Sequence, residues 1–238
     1  MRVVRALHGW RVARLGLART PGVYGFDCAR ACVGGDELAG KRASVLHNWM
    51  GLIDMYTMSR ALKDLTQAEF DWEPHPGAWG VRRRDTCTTP NPGGDARSVW
   101  VVDQDWGVQT AAFGMLNPEG EMNEPMTTIG WLLNHFGAAP GLTAALDFVG
   151  DPTVPTDDVY RRMWGYTIIP TVDEAVARFR EGWAALANAL RGTTDEMLER
   201  GCEGHPWKRG DRAVSAMLNE VSHHGTQICM LRDMYAHL

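Results

Sequence analysis

Four stretches of the chain carry apolar residues at helical spacing. In the last, 211–236, Val214, Met217, Val221, His224, Ile228, Leu231 and Tyr235 keep one phase, which predicts a long amphipathic helix. Val176, Phe179, Trp183, Leu186 and Leu190 form a second stripe, with Arg178, Arg180, Glu181 and Arg191 on the wet side. A third runs from 43 to 65 through Leu46, Met50, Ile53, Met58, Leu62 and Leu65. The fourth begins at Thr127-Thr128, a cap signal, and sets Leu132, His135 and Ala139 in one phase; Pro140 and Gly141 interrupt it before 142–148 resumes.

The segments between are polar, or rich in proline and glycine. Thr66 and Glu69 predict a capped short helical turn, Thr171 and Glu174 a capping box ahead of the 176–190 stripe, Thr194 a cap for a turn through Leu198, and Asp211 the cap of the last helix. Residues 72–126 form one long connection and 151–170 another, both broken by prolines. Within the first, only 98–102 has strand character, and Trp72, Trp79, Trp100 and Trp106 are placed to pin it down. Four long amphipathic segments, little strand signal and no internal repeat predict an all-α bundle.

Two histidines stand in phase with apolar residues, and that changes the reading. A lone inward histidine is more often a hydrogen-bonded core residue than a ligand. Glu220 and His224, however, are four apart and emerge one turn apart on the same side of a helix. With His135 from a facing helix they make a candidate metal set of two imidazoles and one carboxylate, and three protein ligands leave a position open. His223, offset by about 100 degrees from His224, is placed to hold a carboxylate or line the rim. His47 reads as a boundary histidine and Asp54 as a surface carboxylate. Cys28 and Cys32 have no second ligand pair, and Cys202, His205 and Trp207 no convergent partner.

Composition narrows the partners. The chain has 238 residues, 45% of them apolar, enough for one sizeable core. A net charge of −5 argues against nucleic acid. Its internal basic run, Arg82-Arg83-Arg84, reads as a solvated loop, or as a reader of a substrate carboxylate should that loop fold over the site. No apolar run is long enough to span a bilayer, and five cysteines without a secretory signal point to the cytoplasm. Residues 1–40 are arginine-rich and begin without acidic residues, like a targeting peptide or the product of too early a start codon. The second is the expectation, with the folded domain at 41–238.

Thr128-Ile129-Gly130-Trp131 with His135, Trp72-Glu73-Pro74 ahead of Trp79, and the 219–228 stretch resemble the DinB/YfiT-like superfamily from about residue 44 to the end. The resemblance implies a bacterial DinB-like four-helix bundle with long loops between helices 1 and 2 and helices 2 and 3. It implies a homodimer, and a divalent metal held by a histidine of the second helix and an H-x3-H pair of the last. His135 and His224 match that pattern, whereas Glu220 stands where the first histidine of the pair belongs. Zinc, nickel and iron are the metals in view. Members include S-transferases and an isomerase that use mycothiol or bacillithiol, so the resemblance implies a small-molecule substrate, reached under the tryptophan-bearing loop, and a low-molecular-weight thiol cosubstrate. Water activation for hydrolysis, oxygen chemistry at iron(II), and a non-catalytic or metal-free dimeric bundle are the other readings.

Overall fold

The computed structural model describes residues 39–89, 92–103, 126–137, 167–200 and 209–238. The expectations for 1–38, including Cys28 and Cys32, and those for Trp106, 142–148, Cys202, His205 and Trp207 lie outside the described residues. The described part is mostly helical, with one small sheet. In chain order it comprises α1 (Lys41–Ile53), a π-helical turn (Asp54–Met58), α2 (Ser59–Leu62), α3 (Gln67–Asp71), β1 (Gly80–Arg83), β2 (Trp100–Asp103), α4 (Ile129–Leu132), a second π-helical turn (Leu133–Gly137), α5 (Val172–Arg191), α6 (Asp195–Glu199) and α7 (Gly210–Tyr235).

The helices pack as their apolar stripes dictate. Leu46, Met50 and Ile53 of α1, Phe179, Leu186 and Leu190 of α5, and Val214, Val221 and Ile228 of α7 are all buried in one cluster with Leu132 and Phe136. Each such side chain contributes about 1.5–3 kcal/mol. α7 touches α1, α2, α4 and both π turns, and α5 touches α1 and the second π turn. Arg42 lies 3.8 Å from Asp211 and Arg60 2.7 Å from Asp233, so the first helical segment and α7 run side by side in the same direction.

The first helix is not the continuous α-helix expected over 43–65. Its buried positions step by five from Ile53 to Met58, one residue more than an α-turn supplies, and the π turn absorbs the extra residue. There α7 comes close: a Cβ on Gly225 would stand 2.6 Å from Met58 Sδ and 2.8 Å from Thr57 Cγ2. Only glycine allows that approach.

Two caps differ from expectation. Thr171 is the N-cap of α5, but its side chain makes no capping bond. Gln67 takes part of that role from a distance, its Oε1 accepting from Val172 N at 2.9 Å. α7 starts at Gly210, with Arg209 rather than Asp211 in the capping position. Asp211 lies in the first turn, where its charge suits the helix dipole, and its carboxylate is occupied by the Arg209 guanidinium at 2.6 and 3.0 Å. The caps at Thr66, Thr128 and Thr194 form as expected.

The long connection is anchored at both ends. β1 pairs antiparallel with β2, and Trp79 bridges to Thr127, with Trp79 N donating to Met126 O and Thr128 N to Trp79 O. Arg82 and Arg83 lie in β1 and Arg84 in the 3-10 turn that follows (Arg84–Thr86), so the run belongs to the sheet and its end, with the Arg83 side chain exposed beside Asp85. Arg82 sits between Glu73 (2.6 Å) and the buried Asp103 (2.9 Å), and Arg84 donates to the carbonyls of Asp95 and Ser98. Two partnered carboxylates leave the Arg82 fork committed to the fold. Trp72 packs edge-on to Tyr235 at 5.6 Å, and Trp79 lies 5.5 Å from Trp131.

Candidate metal centre

His135, Glu220 and His224 meet where the second π turn faces α7. One ligand atom from each lies within 4.8 Å of the other two. His224 Nε2 is 3.0 Å from Glu220 Oε2, and His135 Nε2 is 3.8 Å from the same oxygen. The i,i+4 spacing on α7 places the first pair, and the cap at Thr128, which accepts from Trp131 N at 3.1 Å, starts the helix that delivers His135. His223, expected beside them, is exposed and outside the converging trio, with its ring 5.0 Å from that of His224. His47, on α1, is buried, and its imidazole is pushed below its ordinary value by burial and then by Arg191.

Rings fix the imidazoles. His135 stacks on Trp131 with centroids 4.5 Å apart and planes at 16°; His224 stacks on Phe136 at 5.8 Å and 13°. The two imidazoles meet edge to face at 5.1 Å. Since Trp131 also packs on Trp79, the anchored end of the long connection is two rings away from the ligand set.

Two polar residues that the sequence reading passed over hold this arrangement. Asn134 is fully buried: Nδ2 donates to Gly130 O and Ile169 O, while Oδ1 accepts from Ile169 N, all at 2.8–2.9 Å. It therefore ties the turn carrying His135 to the segment ahead of α5. A buried amide satisfied three ways is costly to lose, yet in sequence it is one asparagine beside a histidine. Gln227 lies three residues beyond His224, and its Oε1 is 2.6 Å from His224 Nδ1. The helical spacing was its only trace in the sequence.

The electrostatics suit a cation. Burial, then the neighbouring His224, pushes His135 down to about 4, against the opposing pull of Glu220, so it is neutral at pH 7. Glu220 is held below the usual carboxylate range, first by its hydrogen bond with His224, while burial acts the other way. Neutral imidazole and ionised carboxylate are the forms that coordinate metal. An imidazole nitrogen and a carboxylate oxygen at 3.0 Å need positive charge between them, which either a proton or a divalent ion supplies. Glu220 remains 41% exposed, so the trio is reachable from solvent. The donor set thus fits a divalent ion with two nitrogens and one oxygen.

No helix among the described residues is long and apolar enough to cross a membrane. No curated protein and no solved structure matches the chain. The sequence model of the DinB superfamily matches residues 56–228, a span that takes in Trp131, His135, Glu220 and His224. With most of its length covered by that match, the chain belongs to the DinB superfamily.

Proposed function

We propose that this protein is a metal-dependent enzyme built on a DinB four-helix bundle, in which His135, Glu220 and His224 hold one divalent ion and the reaction is transfer of a low-molecular-weight thiol to a small molecule. The observation that carries the reading is the convergence of two imidazoles, from two helices, on a half-exposed carboxylate. Held by His135, Glu220 and His224, a divalent ion would supply Lewis-acid activation of a thiol, favouring its thiolate form at neutral pH. Glu220 contributes the negative charge of the set. His135 keeps its lone pair available at neutral pH because burial disfavours its protonation. Trp131 and Phe136 hold both rings and keep water from their flanks. His223, exposed beside His224, is placed to meet an incoming group at the rim.

Elemental analysis of purified protein beside His135→Ala and Glu220→Ala tests the ligand set. About one divalent ion per chain, lost in both variants, supports it. A thiol-dependent transfer assay then separates transfer from hydrolysis: product formation that requires added thiol supports transfer, and turnover with water alone replaces it with hydrolysis.

A second reading, a non-catalytic dimeric module, has an observation of its own. Val45, Trp49 and Leu52 of α1 are exposed at four- and three-residue steps, and Met55 and Tyr56 continue the face. Between Arg42 and Arg60 the acidic and basic residues are the buried His47 and the half-buried Asp54. Tyr56 and Met230 each lie about one turn before the Arg60–Asp233 pair, so Met230 widens the same flank. Such faces are usually covered by a partner, and a second copy is the occupant we favour. Sedimentation of the wild type against Trp49→Asp/Leu52→Asp tests it; a wild-type monomer removes this second reading.

A further inference from the structure

We propose that Gln227 is a positioning residue that holds a proton on His224 Nδ1 and so keeps Nε2 as the ligand atom. This rests on the metal-centre reading above. Nδ1 lies 2.6 Å from Gln227 Oε1, an acceptor, whereas Nε2 points at Glu220 Oε2, the oxygen that His135 Nε2 also approaches. Gln227 Oε1 at that distance accepts an N–H from Nδ1, just as Glu220 Oε2 at 3.0 Å accepts one from Nε2 while no ion is bound. The proton therefore belongs on Nδ1, and Nε2 turns its lone pair into the trio when an ion displaces whatever proton lies between it and Glu220.

Imidazoles that bind metal through one nitrogen are commonly oriented by a hydrogen bond from the other. Here the partner is supplied from the same helix, one turn beyond the ligand. Phe136, stacked on the His224 ring, resists rotation that would exchange the two nitrogens. The bond thus fixes which atom faces Glu220, and the stacking fixes where the ring lies.

The test uses full-length, metal-stripped protein and zinc ion as the probe. Zinc affinity is measured by competition with a chromophoric chelator, and the proton on Nδ1 by long-range nitrogen-15 NMR of the His224 ring before metal is added. Wild type should show a proton on Nδ1. Gln227→Met, which keeps length and loses the acceptor, should lose that proton and bind zinc roughly 10–100-fold more weakly. Gln227→Glu, which keeps an acceptor, should restore both. Thermal melting of each variant shows whether the fold is retained. The proposal is overturned by a wild-type Nδ1 without a proton, the arrangement in which the Gln227 amide donates instead, or by a folded Gln227→Met with wild-type affinity. Should wild type bind no zinc while Gln227→Met still moves the Nδ1 proton, the metal-centre reading falls and the hydrogen-bond assignment stands.

Discussion

Asp103 and Glu220 are both carboxylates gathered into clusters, and their surroundings differ in kind. Asp103 is 4% exposed and receives Arg82 Nε, the backbone N–H groups of Thr88 and Thr89, the Thr88 hydroxyl and the Cys87 thiol. Its oxygens are filled by donors of the chain itself. Glu220 is 41% exposed and faces imidazole nitrogens. A carboxylate surrounded by donors is finished architecture; one that shares its space with other metal-binding atoms is poised for something from outside. Arg82 belongs to the first kind of cluster, its guanidinium held between Glu73 and Asp103.

The sharpest way to break the comparison is to alter each carboxylate and read both metal content and stability. Glu220→Ala should take the protein from about one divalent ion per chain to near none, while its metal-free melting temperature stays close to wild type. Glu220→His, which restores the H-x3-H pair, should keep the ion and change only which metal is preferred, read by competition between zinc and nickel. Metal retained in Glu220→Ala would remove Glu220 from the ligand set and the contrast with it.

Asp103→Ala should do the reverse. It leaves Arg82 with Glu73 as its one carboxylate and two backbone N–H groups without their acceptor, a loss of about 3–5 kcal/mol, with metal stoichiometry unchanged where the protein is folded. Burial pushes the Asp103 carboxyl up, but the bonds from Thr88, Cys87 and Thr89 more than offset it and leave it at about 2. A depressed carboxyl contributes stability that is fully present above its unfolded value of 3.8 and is lost as pH falls towards about 2. That contribution is about 2 kcal/mol, and urea melts between pH 5 and pH 2 should show it disappear in wild type and be missing in Asp103→Asn. A variant with the wild-type acid profile would show the network to be inert.

The close approach of α7 to the first π turn falls at Gly225, the residue after His224. Gly225→Ala should cost about 1–3 kcal/mol by overpacking Met58 and Thr57. It should also weaken metal binding, because His224 is the next residue. Gly130→Ala, whose Cβ would stand 2.8 Å from Phe70 Cε1, is the matched change on the helix that carries His135. Equal stability losses with unequal metal affinities would show which helix sets the ligand geometry.

How far these features can be read from sequence follows from the range of the interactions involved. The apolar stripes of α1, α5 and α7, the Glu220–His224 pair, the inward phase of His135, and the caps at Thr66, Thr128 and Thr194 are local patterns, each written within a few turns of helix. The partner of β2, the commitment of Arg82, the amide of Asn134 and the distant cap from Gln67 depend on residues far apart in the chain, where periodicity carries no information. The π turn at 54–58 is an intermediate case. Its five-residue step from Ile53 to Met58 was visible, but a stripe drawn through it looks like an ordinary helix. Gln227 was likewise local and still passed over, because an amide three residues from a histidine has meaning only when the ring's two nitrogens face different partners.

The smallest predicted effect carries the same distinction to two threonines that look alike in sequence. Thr66 and Thr171 are each followed three residues later by glutamate. Around Thr66 the box closes: its hydroxyl accepts from Glu69 N at 3.2 Å, and Glu69 Oε2 accepts from Thr66 N at 2.9 Å. Glu69 Oε1 also receives Arg232 at 2.8 Å, and Arg232 donates to the carbonyls of Arg60, Ala61 and Lys63. The local cap is therefore joined to the seam between α2 and α7. Thr171 has no side-chain capping bond, and Gln67 serves the first N–H of α5 instead. Thr66→Ala should then lower stability by about 1 kcal/mol and Thr171→Ala by less than about 0.5 kcal/mol, both read from urea midpoints at neutral pH. Equal losses would mean that the sequence motif alone sets the contribution. The unequal result expected here would tie it to whether the glutamate is held by the rest of the fold, as Asp103 is and Glu220 is not.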